Sequence, residues 1–299
     1  MFNRINFSKF FKVANIFSLL AIFISILFLF LKGLNFGVDF KGGTLLEIRV
    51  SDSNVKIQDI RDSLKTVNVG DVSVKEFGKE GDFLVKFEKN SNENDKFISE
   101  LKNKISGKVG SEVNFRRVES VGPKVSSELL KQGVTAIALS LAAMLFYIWI
   151  RFEWQFSLGS IIALFHDVVI TLGIFSILSL EVNLSIVAAV LTIVGYSMND
   201  TVVIYDRIRE NLLKYSKINT NEIANISVNE TLSRTVITSL TTLLALGSIF
   251  ILGGEILKGF SFAMILGVII GTYSSIFVAS PVLNYFNVTQ KTLLKDDDL

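Results

Sequence analysis

The chain has 299 residues, 50% of them hydrophobic and 19% charged, with a net charge of +2 and a mean hydropathy of +0.50. Water-soluble chains carry about 25% charged residues, so an ordinary soluble enzyme is a poor fit, and the small net charge argues against a nucleic-acid partner. Zero cysteines exclude disulfides, thiolate metal centres, iron–sulfur clusters and cysteine nucleophiles, and a single histidine, His166, argues against His-rich metal sites and a Ser–His–Asp triad. No metal and no cofactor are expected.

In chain order, Arg4, Lys9 and Lys12 precede the apolar run Val13–Leu31. The layout is that of a signal peptide, but the run exceeds the usual apolar core of about 7–15 residues and no small-x-small cleavage site follows it, so an uncleaved anchor is expected. A bilayer core of about 30 Å needs about 20 apolar helical residues. Gly133–Ile150, Ser157–Leu180, Leu184–Tyr205, Val236–Leu252 and Phe260–Leu283 also approach that length. The fold class expected is an α-helical polytopic membrane protein with six transmembrane helices and one α+β domain between helices 1 and 2.

That domain opens with Gly37-Val38-Asp39-Phe40-Lys41-Gly42-Gly43. Gly-rich loops can cradle phosphate, but no G-x-x-x-x-G-K-[ST] pattern occurs here or elsewhere. The loop reads as a tight connection from the membrane to the first strand, shaped by Asp39, Gly42 and Gly43, and any work must draw on an energy source other than nucleotide. Leu45–Val50 alternates as a strand, Val55–Thr66 has helical spacing, and Val72–Phe77 and Phe83–Phe87 are strands joined by a turn at Gly78–Asp82. Asn92–Ile105 puts Phe97, Ile98, Leu101 and Ile105 on one helix face, and Val113–Val118 is a last strand. The order β-α-β-β-α-β is that of a ferredoxin-like domain. The expected boundaries are 1–32 for the cytoplasmic N-terminus and first span, 33–130 for the outer domain, 131–283 for spans 2–6 and 284–299 for a cytoplasmic tail.

Orientation follows from lysine and arginine. Arg4, Lys9, Lys12, Arg151, Arg207, Arg209, Lys214, Lys217, Arg234, Lys291 and Lys295 fall on one side, and the opposite short loops carry only Lys258. Both termini are expected inside and the domain outside, in the periplasm.

Within the six spans the only charged residues are Asp167 and Asp200. A charge at mid-membrane costs at least about 2.5–3.5 kcal/mol, so each needs a reason. Asp200 lies near the inner end of span 4, with Tyr196 and Ser197 on its helical face. It reads as a carboxylate that takes up and releases a proton, or as an interfacial residue in a static pair. Arg234, just before span 5, lies at similar depth and is its natural partner; it reads equally as a positive-inside anchor. His166 and Asp167, near the middle of span 3, read as a polar helix contact or as a relay element. Asp206 and Arg207 read as a cytoplasmic cap to span 4. Gly267 and Gly271 form a GxxxG pair in span 6, which reads as helix packing.

These blocks together resemble a family. GVDFKGG at 37–43, VGPKV at 121–125, HDV at 166–168, GYSMNDTVVIYDRIREN at 195–211, LSRTVITSLTTLLAL at 232–246 and GTYSSIFVASPV at 271–282 run in the order seen in the SecD/SecF family of protein-export membrane proteins. That family lies within the resistance–nodulation–division superfamily. The resemblance, to the SecF side of the family, implies a SecD-like partner, association with the SecYEG channel and possible association with YajC, in the bacterial inner (cytoplasmic) membrane. It also implies use of the proton motive force to help move unfolded exported polypeptides, with the titrating pair at Asp200 and Arg234. Membrane lipid is the remaining contact expected. Three alternatives stand beside it: a proton-coupled transporter of small molecules or lipids, a non-transporting scaffold, and, weakest, an enzyme. The transporter reading is disfavoured by a single six-span set and a small outer domain.

Overall fold

The structure is a computed structural model that describes residues 5–51, 55–65, 70, 72–76, 80–87, 95–110, 112–215, 218–286 and 288–293. Thr66, Phe77, Gly78 and Asn92, at the edges of expected elements, and Arg4, Lys217 and Lys295 of the basic segments lie outside the described residues. The chain divides into two units, residues Met1–Asn35, Thr135–Glu181 and Ser185–Leu299, and residues Phe36–Val134 and Val182–Leu184.

A 3-10 turn (Phe7–Phe10) leads into α1 (Phe11–Leu31), followed by β1 (Asn35–Phe36), α2 (Val38–Lys41), β2 (Gly43–Val50) and α3 (Ile57–Lys65). Then come β3 (Val72–Glu76), β4 (Asp82–Phe87), α4 (Asp95–Val109) and β5 (Val113–Val121). The long helices are α5 (Pro123–Arg151), α6 (Trp154–Ile177), α7 (Leu184–Lys214), α8 (Thr220–Leu252) and α9 (Gly254–Ser274), with β6 (Glu181–Val182) before α7. A π-helical turn (Ser275–Ala279) continues α9 into α10 (Ser280–Tyr285), and α11 (Gln290–Leu293) follows.

In the smaller unit the sheet order is β3-β4-β2-β5, antiparallel throughout. Alternation decides the faces: Leu46, Ile48 and Val50 of β2 and Phe83, Val85 and Phe87 of β4 point to one side, where Ile60, Leu64, Leu101 and Ile105 of the two helices close a core. The β2–β5 register shifts between Glu47 and Ile48, so Glu47 faces Arg117 and Ile48 faces Phe115. Arg116 is the extra residue, and its guanidinium reaches Asp82 at 3.6 Å, beside the fork that Arg49 makes to the same carboxylate at 2.5 Å.

In the larger unit, apolar runs form helices because every backbone polar group in hydrocarbon must be paired within its own segment. Six helices among the described residues are long and apolar enough to cross a membrane: Phe7–Leu31, Pro123–Arg151, Trp154–Ile177, Leu184–Lys214, Thr220–Leu252 and Leu257–Tyr285. The protein is a multi-pass membrane protein. Three helices outrun the apolar segments; α5 does so at its start, Pro123. α8 starts at Thr220, where the Asn219 carboxamide oxygen accepts the Glu222 N–H at 2.8 Å, an N-cap. Its polar first half is still amphipathic, burying Ile223, Ala224, Ser227, Val228 and Thr231. α7 likewise passes Asp206 and Arg207 and ends at Lys214. These two residues do not cap the helix; Asp206 meets Arg151 at 3.0 Å and Arg207 meets Glu230 at 2.7 Å and Glu210 at 2.6 Å. An aromatic core built from Phe7, Phe11, Phe152, Phe156 and Tyr205 fills the basic end of this unit.

The sixth span is not one regular helix. Pro281 has no N–H to donate one turn back and its ring crowds that carbonyl. The backbone widens into the π turn just before it, and the Ser280 hydroxyl donates to the Ser275 carbonyl at 2.8 Å.

Candidate functional site

Asp167 lies 13 positions into α6, about 20 Å along a helix that rises 1.5 Å per residue, and is 0% exposed. Its carboxylate is well supplied with donors. Ser197 of α7 donates to Oδ2 at 2.5 Å, Ser274 of α9 donates to the same oxygen at 2.9 Å, and His166 Nδ1 lies 2.8 Å from Oδ1. Thr171 donates to the Asp167 carbonyl at 2.8 Å. The Ser275 hydroxyl pairs with Thr201 at 2.9 Å and donates to the Gly271 carbonyl at 2.9 Å. One carboxylate thus gathers hydroxyls from α7 and α9, and the π turn begins at the residue after Ser274.

His166 is 1% exposed, and its Nε2 has no hydrogen-bond partner among the described residues. Its ring stacks on Tyr273, with centroids 6.0 Å apart and planes inclined by 22°.

Asp200, on α7, is 3% exposed and accepts no hydrogen bond among the described residues; its Oδ2 is buried and unpartnered. Arg234 lies close enough to act on it through its charge, yet among the ion pairs of the described residues there is none between the two. Arg234 sits on the exposed side of α8, while the next residue, Thr235, is 1% exposed with a buried, unpartnered hydroxyl. Tyr196 does not turn to Asp200 but donates to Thr242 Oγ1 of α8 at 3.5 Å. Ser197, one turn before Asp200, is committed to Asp167. The two intramembrane carboxyls therefore sit on neighbouring helices, one saturated with donors and one bare.

Gly267 and Gly271 lie on the face of α9 that meets α7. A Cβ on Gly267 would fall 2.2 Å from Ile193 Cγ1, and one on Gly271 would fall 2.9 Å from Ser197 Cβ. The absence of side chains there lets α9 approach closely enough for Ser274 to reach Asp167.

In the loop after α1, residues 38–41 form one helical turn, and Gly42 and Gly43 have φ of 81° and 120°. That left-handed geometry suits glycine. Asp39 Oδ2 accepts the N–H of Leu184, the first residue of α7, at 2.9 Å, so a carboxylate stands at that helix's positive end. Among the described residues no group of three or more His, Asp or Glu is placed to hold a metal ion.

Sequence reasoning singled out the two aspartates by their charge but not Thr201 or Tyr273. The available signal was weaker: hydroxyl groups inside apolar spans, each needing an acceptor.

Residues 101–289 match the family described as protein export membrane protein SecD/SecF, C-terminal, and residues 27–53 match the SecD/SecF GG motif. The chain is 45% identical to the protein translocase subunit SecF of Rickettsia rickettsii (strain Sheila Smith) over 287 residues, covering 95% of this chain and 93% of that one. It is 44% identical to that of Rickettsia prowazekii (strain Madrid E), covering 95% and 92%. Its fold is similar to that in the crystal structure of SecDF, a translocon-associated membrane protein from Thermus thermophilus, with a TM-score of 0.85 and 36% identity over 96% of this chain. A second crystal structure, of SecDF in a super-membrane-facing form, gives a TM-score of 0.71 at 35% identity. The chain spans 39% of the length of each of those SecDF chains.

Proposed function

The chain belongs to the SecD/SecF family of protein-export membrane proteins, and from that premise we propose that it is an accessory subunit of the Sec protein translocase that couples the proton motive force to late stages of polypeptide export. Its partners are a SecD-like protein and the Sec channel, SecYEG. YajC, lipid and the unfolded polypeptide itself complete the proposed set. Its place is the bacterial cytoplasmic membrane, with both termini inside and the sheet domain outside, as the distribution of Lys and Arg supports.

The observation that carries this reading is the bare carboxyl of Asp200, buried on α7 with the charge of Arg234 set against it. Proton exchange at Asp200 breaks no hydrogen bond among the described residues. It changes one thing, the net charge facing Arg234, and with it the attraction between α7 and α8 at this point. The α7–α8 packing therefore has two favoured states, one for each form of the carboxyl. A charge crossing the full membrane potential releases about 2.3 kcal/mol per 100 mV, and a pH gradient adds about 1.4 kcal/mol per unit. Asp167 and His166 are assigned to the same proton-linked machinery. No catalytic residue and no cofactor are assigned.

Asp200→Asn tests the proposal. It is expected to abolish export that depends on the proton motive force, while the protein still inserts and co-isolates with its SecD-like partner. Normal export from that variant would overturn the reading.

A further inference from the structure

We propose that Tyr273 is a positioning residue that transmits the charge state of the buried His166–Asp167 pair to α1, an inference that rests on the proton-linked reading above.

α1 is held by a narrow seam. Phe11, Ala14, Ser18 and Ser25 are its buried residues, one stripe at helical spacing, while residues such as Phe17 and Phe30 are well exposed. A Cβ on Gly173 of α6 would fall 2.3 Å from Ser25, so the seam depends on close approach. Apolar surface does little to fix a helix in lipid, where packing and hydrogen bonds set its position. Two polar anchors meet α1 in this seam. At its outer end Ser176 donates to the carbonyls of Phe28 and Gly33 at 3.0 and 2.7 Å. In its inner half Tyr273 donates to the Ala14 carbonyl at 2.8 Å, which leaves the phenolic oxygen to accept from Ser18 at 3.0 Å.

Tyr273 differs from Ser176 in what lies behind it. Its ring is stacked on His166, and the next residue, Ser274, donates to Asp167. One proton bridges Nδ1 and Oδ1 at 2.8 Å, and the exchangeable proton is a second one, on the ring's other side at Nε2. With it the pair is neutral overall, as imidazolium and carboxylate or as imidazole and carboxylic acid; without it, as imidazole and carboxylate, the pair carries one negative charge. An imidazolium is attracted to the face of a tyrosine ring about 6 Å away more strongly than a neutral imidazole is. A carboxylate draws the Ser274 hydroxyl more strongly than a neutral acid does. Both contacts pull on residues 273–274, directly before the π turn.

The groups facing the pair are few. α9 brings Tyr273, α7 brings Ser197 with Asp200 one turn further on, and α1 brings hydroxyl and apolar groups, its one charged residue, Lys12, lying at its start. The unpartnered Nε2 of His166 leaves the ring free to gain or lose a proton without breaking a bond on that side.

The chain has no cysteine of its own, so labels placed in it are the only ones it carries, and the unsubstituted chain with its partner serves as the labelling blank. Spin labels at Phe30→Cys on α1 and Leu252→Cys at the end of α8, positions 87% and 83% exposed, report how α1 sits in the bundle. The full chain, with its co-isolated partner in lipid nanodiscs, is measured by double electron–electron resonance at about pH 5.5 and about pH 8, on either side of the ordinary histidine range. The distance distribution is expected to shift with pH. Tyr273→Phe, which keeps the ring and removes both hydrogen bonds, is expected to lose the shift, as is His166→Asn. Ser176→Ala, which removes the other anchor, is expected to keep it. A full shift in Tyr273→Phe or in His166→Asn, an equal loss in Ser176→Ala, or no shift in the parent chain would overturn the proposal. None of these outcomes decides the role of Asp200, which the export measurement on Asp200→Asn settles separately.

Discussion

Inside the spans, Asp167 and Asp200 differ in what surrounds them. Exchanging a proton at Asp167 disturbs contacts to Ser197, Ser274 and His166 at once, whereas Asp200 has no hydrogen bond to lose. Outside the spans a third group stands out. Lys86 lies half-buried in mid-strand β4, and its ammonium is pushed down to about 8, first by burial and then by Lys75, with Asp39 opposing and Lys41 adding to the push. A lowered lysine pKa means the neutral, nucleophilic amine appears at lower pH. Acylation of Lys86 in the intact protein, followed by mass spectrometry across pH, is therefore expected to rise with a midpoint near 8, and Lys75→Gln is expected to move that midpoint upward. A midpoint in the ordinary lysine range, about 10.4, would contradict this. Charge in an apolar run is conspicuous, so both aspartates were legible from sequence. Their settings were not. The donors to Asp167 lie 30 and 107 residues away, and no local spacing reports a pairing of that reach.

At the scale of elements, a run of about 20 apolar residues forces a helix, because lipid offers the backbone no partner. The six spans could therefore be read directly. Their polar extensions could not, since the first half of α8 and the end of α7 are amphipathic helices stabilised by packing against the rest of the chain. The π turn before Pro281 was also hidden: a proline announces a missing hydrogen bond but not how the backbone absorbs it. The seam between α7 and α9 yields a specific test. Gly267→Ala places a methyl group 2.2 Å from Ile193 Cγ1, and overpacking of this kind costs about 1–3 kcal/mol. Unfolding in a denaturing-detergent titration is expected to show that loss, and Ile193→Ala in the same chain is expected to make the added loss at Gly267 smaller than in the parent. If the two substitutions are simply additive, the close approach is not what sets this packing.

For the whole molecule, the segregation of charge along the sequence corresponds to the two units of the structure, an apolar bundle and a charged sheet domain. The alternating patterns at 45–50, 72–76 and 83–87 lie in strands and the helical patterns at 57–65 and 95–105 in helices. The one-turn helix at 38–41 and the two-residue strands β1 and β6 left no such pattern because they are too short to carry a period. The proposed function draws its work from the ion gradient through proton exchange at Asp200. Difference infrared spectroscopy of the protein in lipid, recorded as the pH is lowered, tests that claim most directly. The carboxylic-acid C=O absorption that grows in the parent chain and in Asp167→Asn is expected to lack one component in Asp200→Asn, the other carboxyls contributing alike to all three. A band that persists undiminished in Asp200→Asn, or that never appears in the parent chain, would contradict proton exchange at Asp200.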